Sequence, residues 1–128
     1  MIPTFIRAYA ATAAIAGCLI VRFSEPATSN GIAEATANDQ PFLGVSDRMG
    51  AELGGMCDVH RAGLAGVRLG GPVEAGDPLT SDDEGRAIKA VAAAGETIRI
   101  VGWADQPGVE NDIIDAFISP TVLHEPAA

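Results

Sequence analysis

The sequence predicts an all-β chain: one small domain of the β-barrel or β-clip-like kind, with short strands and an extended N-terminal arm. Three observations carry this. The chain has 128 residues with 15 glycines and 8 prolines, a length that suits one core and a composition that supplies frequent turns. Hydrophobic residues reach 48% while aromatics make up only 5%, so a core can form but is built from small and branched side chains. Finally, the apolar segments are short, alternate with period two, and are separated by Gly, Pro, Asn and Asp. The expected division is an arm over residues 1–9 and a β-rich domain over residues 10–128.

In chain order, Ile2, Phe5 and Ile6 are too apolar for a solvated tail, and Pro3 disfavours helix at Ile2 and removes a backbone donor. The arm is therefore expected to be extended at a sheet edge, either docked on a neighbouring protein surface or folded back as a strand of its own domain. Gly17–Ser24 predicts the first strand of the domain, with Leu19, Val21 and Phe23 on one face and Cys18, Ile20 and Arg22 on the other. Pro26, Ser29 and Asn30-Gly31 predict a hairpin turn leading to a return strand over Ile32–Thr36. Phe42–Ser46 reads as a short strand, and Gly50–Gly55 as a glycine-rich link.

Met56–Arg61 alternates, and Ala65, Val67 and Leu69 share a face beyond it, with bulges or a bend expected at Gly63 and Gly66. Ser81-Asp82-Asp83-Glu84-Gly85 predicts an exposed hairpin tip, because three adjacent acids repel and Gly85 accepts positive φ; Arg86–Ala90 returns from it. Ala92–Gly95 is a spacer long enough for one helical turn. Thr97–Trp103 is a strong strand with Ile98 and Ile100 on one face and Val101 and Trp103 on the other, the pattern of a central strand or of an oligomer contact. Ile113–Ile118 is the last strand, with Pro120 expected to end it and the tail from Thr121 expected to be only partly ordered. About seven short strands at regular spacing describe a compact barrel or sandwich.

The charge balance excludes one class of partner. Asp and Glu number 17 against 8 Lys and Arg, a formal net charge of -9, so phosphate backbones are repelled and nucleic acid is not an expected partner. No apolar run approaches the ~20 residues of a membrane-spanning helix, and a membrane is not expected either. Cys18 and Cys57 lie in apolar surroundings without a metal-ligand spacing; buried free thiols are the first reading and a Cys18–Cys57 disulfide the second. Arg7, the apolar stretch Ala8–Ala16 and the run Ile15-Ala16-Gly17-Cys18 also look like a lipoprotein signal, giving an alternative function as a cell-envelope lipoprotein with a β-barrel domain. Against it, Cys18 is followed by the strand-like Leu19–Phe23 and not by a polar tether, and the stretch is mostly alanine, so an uncleaved N-terminus is expected.

No catalytic, cofactor or metal constellation is expected. His60 and His124 are far apart in sequence and fit no nucleophile or zinc pattern. Asp77, Asp82, Asp83 and Glu84 lack the ligand alternation and central glycine of a calcium loop and read as a solvated turn. A carboxylate dyad acting on sugars would need an aromatic cleft, for which only Tyr9 and Trp103 offer large amphipathic rings.

One family resemblance covers most of the chain. The order of Ala16–Phe23, Phe42–Asp47, the phrase Val73-Glu74-Ala75-Gly76-Asp77-Pro78-Leu79-Thr80-Ser81-Asp82, then Ala87–Ala90, Ile98–Gly102 and Asp112–Ile114, resembles the head decoration, or cement, proteins of tailed bacteriophages. The resemblance implies a β-clip-like or barrel domain, often trimeric, that sits on the outer surface of a phage capsid and clamps neighbouring major capsid protein subunits after shell expansion. It implies no enzyme activity and no cofactor. On this reading the chain is made in the host cytoplasm and ends in the virion, and Ile2, Pro3, Phe5, Ile6 and Trp103 are the expected contacts to the capsid or to sister subunits.

Overall fold

The computed structural model describes residues 3–24 and 30–126, which form nine β-strands and no helix. They are β1 (Pro3–Ala11), β2 (Ile20–Phe23), β3 (Gly31–Glu34), β4 (Phe42–Ser46), β5 (Met56–Arg68), β6 (Pro78–Ser81), β7 (Ala87–Lys89), β8 (Thr97–Ala104) and β9 (Ile113–His124). The hydrogen-bonded order is β1-β3-β2-β4-β5-β9-β8-β6-β7, and β1 also pairs with β5. That extra pairing closes β1, β3, β2, β4 and β5 into a five-stranded barrel, and the remaining strands extend the sheet from the far end of β5. The all-β, single-domain barrel expected from the turn spacing is the observed architecture.

β5 makes this possible because it is 13 residues long and serves two neighbours in succession. Its first half pairs with β1, from Met56 to Gly63, and its second half pairs with β9, from Gly63 to Arg68. Ile6 pairs with His60 and Phe5 with Ala62, which leaves Arg61 as an extra residue on β5. The bulge sends Arg61 toward the barrel, where its Nη1 donates to the Tyr9 hydroxyl at 2.6 Å and its Nε to the Leu43 carbonyl at 3.1 Å. Gly63, at φ +88, then turns the strand toward the second sheet. The two expected segments are thus one strand with an irregularity at Arg61–Gly63.

Two cores follow. Tyr9, Ala11, Val21, Ile32, Leu43, Cys57 and Val59 fill the barrel, with Ile15 beside them. A larger cluster, including Ile20, Phe42, Val45, Ala65, Val67, Leu69, Leu79, Val101, Ile114, Ala116 and Ile118, lies between the outside of the barrel and the β9-β8-β6 sheet. β2 and β4 stand between the cores, which is why Val21 and Ile20 face opposite ways and why all five residues of β4 are buried. A third, small cluster of Ala90, Ile98 and Ile100 caps the far end of β8. The two apolar faces of β8 therefore serve separate cores, one through Ile98 and Ile100 and the other through Val101.

Several expectations change. Residues 3–11 are extended, but their backbone pairs with β5 of the same chain, the folded-back placement, and closes the barrel. Pro120 does not end the last strand, which continues to His124. The pairing steps from Ile118–Gly102 to Thr121–Ile100, so Ser119 and Pro120 of β9 together oppose Val101 of β8 and Pro120 falls in the bulge, where no backbone donor is required. Ala92–Gly95 forms no helix but a tight turn, with Gly95 at φ +80 and Glu96 N donating to the Ala93 carbonyl. Residues 25–29, most of the expected first hairpin turn, lie outside the described residues.

Candidate functional site

Residues paired across neighbouring strands share a face. Along one such row Leu64 of β5 is opposite Phe117 of β9, Phe117 is opposite Trp103 of β8, and Trp103 is opposite Pro78 of β6. Phe117 is 50% exposed and Trp103 38%, so an aromatic pair in the middle of a sheet stands open to solvent. Phe5, opposite Ala62, and Ile6, opposite His60, are exposed at the start of β1, and Ile113 is exposed on the same face of β9 as Phe117.

Of the contacts expected from sequence, Trp103, Phe5 and Ile6 are on the surface as required. Pro3 begins β1 opposite Gly63, and Ile2 lies outside the described residues. Sequence reasoning missed Phe117 and Ile113. Their alternation with Ile114, Ala116 and Ile118 was visible, but both faces of β9 are apolar, so nothing local shows which face meets the core.

A second feature is a cavity of about 460 Å³ lined by Ala16, Gly17, Cys18, Leu19, Arg48, Arg68, Glu84, Arg86, Asn111 and Ile113. Its floor is the turn at residues 16–19, held by one buried hydroxyl. Ser46 Oγ accepts from Leu19 N at 3.1 Å and donates to the Ala16 carbonyl at 2.8 Å, while the Ser46 carbonyl accepts from Cys18 N. The turn puts Cys18 at φ +62, and Gly17 packs so tightly on the Arg48 carbonyl that a Cβ has no room. Asn111 also has positive φ, 70°, and its turn is tied to Leu69 by two backbone bonds.

Several titratable groups pair locally. Asp82 Oδ1 accepts from Glu84 N and Arg86 N, and its Oδ2 is 3.0 Å from Arg86 Nε; Glu110 lies 3.4 Å from Arg86 Nη1. His60 Nε2 is 3.1 Å from Asp47 Oδ1, and its Nδ1 is buried without a hydrogen-bond partner among the described residues. His124 Nδ1 meets Thr97 Oγ1 at 2.6 Å. Both cysteines are buried and unpaired, and burial pushes their thiols up, Cys57 to about 11. Among the described residues no cluster of three or more His, Cys, Asp or Glu could hold a metal, and no helix is long and apolar enough to cross a membrane.

No protein-family model and no curated protein matches the chain. The fold itself is found in a solved structure, the N base of head fiber gp8.5 of bacteriophage phi29. That structure aligns with a TM-score of 0.63 and 16% sequence identity, over 90% of this chain and 93% of that one. The class this defines is a small all-β barrel domain with a sheet extension, shared with the base of a phage head fiber.

Proposed function

We propose that this chain is a structural, non-catalytic component of a tailed-phage head. It would attach to the outer capsid surface as a trimer and clamp neighbouring major capsid protein subunits as a cement protein. The observation that supports the reading most is the fold likeness to a head fiber base across 90% of the chain. Exposed Phe117 and Trp103, in a row with half-buried Leu64, add a surface suited to protein contact, and Phe5 and Ile6 add side chains at the start of β1. Burial of Phe117 or Trp103 from their half-exposed state contributes on the order of 1 kcal/mol each, small alone but multiplied when three linked subunits engage at once.

Light scattering and co-sedimentation with capsids test this together. The parent chain is expected to elute as a trimer and to sediment with heads. Phe117→Asp is expected to keep the fold at a cost of about 1–2 kcal/mol from the lost cross-strand contacts, while losing either trimer or head binding. A monomeric parent that ignores heads overturns the reading.

The lipoprotein alternative fits the structure less well. Cleavage before Cys18 would remove β1 and with it Tyr9, Ala11 and Ile15 from the barrel core, leaving β5 and β3 with open edges.

A further inference from the structure

In a chain whose net charge is -9, three arginines line one cavity. They arrive from separate parts of the fold: Arg48 follows β4, Arg68 ends β5, and Arg86 follows the hairpin tip. Like charges brought together cost free energy unless something answers them. Arg86 is answered by Asp82, Glu84 and Glu110. Arg68 donates to the Asn111 carbonyl at 3.1 Å, and neither it nor Arg48 has an ion pair among the described residues. Arg48 and Arg68 therefore line the cavity with no ion-paired carboxylate among the described residues.

Their field reaches the floor. Burial raises the pKa of the Cys18 thiol and Asp47 adds to the rise, but Arg68 and Arg48 both pull it down, so both stabilise negative charge at the turn. Ala16, Leu19 and Ile113 add apolar lining beside the polar Glu84 and Asn111, and the 460 Å³ volume falls in the range of small-molecule sites. A neighbouring recess of about 110 Å³ shares Cys18 and Arg48 and is lined by His60, whose buried Nδ1 has no partner.

We propose that this cleft binds a carboxylate carried on a short aliphatic group, gripped by Arg48 and Arg68 with its apolar part against Leu19 and Ile113. Planar guanidinium groups match a carboxylate in two-point geometry. Glu84 in the lining, with Glu110 close to Arg86, offsets part of the arginine charge, so a singly charged carboxylate fits better than a doubly charged phosphate. The carboxylate can belong to a free acid or to the C-terminus of a protein chain, and the chemistry recognised is the same.

The test is a titration of the full-length chain followed by NMR of the arginine side-chain N–H groups and the Ile113 methyls. Probes are sodium hexanoate, hexanol, inorganic phosphate, and a peptide ending in leucine as free acid or as amide. Saturable shifts at Arg48, Arg68 and Ile113 are expected with hexanoate or the free-acid peptide, and at least tenfold weaker binding with hexanol or the amide. The tighter of the two acids identifies the source. Arg48→Gln and Arg68→Gln are each expected to weaken binding about tenfold, Arg68→Lys less, and Arg99→Gln, on β8 outside the cleft, not at all. Linear shifts without saturation, unchanged affinity in Arg48→Gln, or phosphate binding as tightly as hexanoate would each overturn the proposal.

Discussion

Replacing Tyr9 by Phe removes one oxygen from the barrel and leaves the ring in place. Tyr9 is 1% exposed, and its hydroxyl accepts from Arg61 Nη1 at 2.6 Å and, at the limit of hydrogen-bond distance, from Arg7 Nη1 at 3.5 Å. The bond joins β1 to the bulge in β5 at the end of the barrel, while Arg61 Nε holds the Leu43 carbonyl of β4. A hydrogen bond to a charged group contributes about 1.5–3 kcal/mol when its loss leaves the partner buried. Arg61 is only half-buried, so water replaces part of the loss, and the expectation sits at the low end, about 1.5–2 kcal/mol. For a chain of this length the unfolding entropy is about 0.27 kcal/mol per K, which converts the loss to a fall in Tm of about 6–7 °C. Urea unfolding of parent, Tyr9→Phe, Arg61→Leu and the double variant gives the stability and the coupling energy, expected to be about 1 kcal/mol or more. A Tyr9→Phe loss below about 0.5 kcal/mol, or no coupling, would show that barrel closure does not depend on this contact.

Three further predictions follow from individual residues. Ser46→Ala leaves Leu19 N and the Ala16 carbonyl without their buried partner and is expected to cost about 1–3 kcal/mol in urea unfolding, with a loss near zero contradicting its role under the 16–19 turn. Gly102→Ala places a methyl group against the Phe117 backbone carbonyl, so β8 and β9 must separate; a loss of about 1–3 kcal/mol is expected, and a neutral result would mean the strands lie farther apart than described. The Cys57 thiol is raised from 9.0 to about 11 by burial, with Asp58 and Asp47 adding, so above pH 9 the folded chain keeps a proton that the unfolded chain gives up. Stability is accordingly full below about pH 9 and falls as pH rises toward 11, and Cys57→Ala is expected to flatten that fall; an unchanged pH slope in the variant counts against it.

The strands were legible where one face had to be buried and the other did not, or where turn residues bracketed a short apolar run. Phe42–Ser46 is observed with its expected bounds, and the hairpin tip at Ser81–Gly85 stands where the acids and Gly85 place it, at φ +78. What failed to show was anything set by a partner far away in sequence. The end of β9 was missed because a bulge opposite β8 accommodates Pro120, and a proline by itself reads as a stop. The single long β5 was missed because its continuity depends on β1 and β9 taking its two halves in turn. At the candidate site, Trp103 was visible as an apolar residue on an otherwise filled strand, but its partner Phe117 comes from pairing alone. Arg48, Arg68 and Arg86 are separated by 20 and 18 residues, so only the folded chain brings them to one cavity.

Cryo-electron microscopy of phage heads assembled with and without this chain tests its proposed role most directly. Added density is expected on the outer capsid surface into which the nine-stranded domain with its five-stranded barrel fits, three copies to a site, with the Phe117–Trp103 face covered by a neighbour. Heads that look identical in the two preparations, or density that leaves Phe117 and Trp103 facing solvent on an isolated monomer, would contradict it.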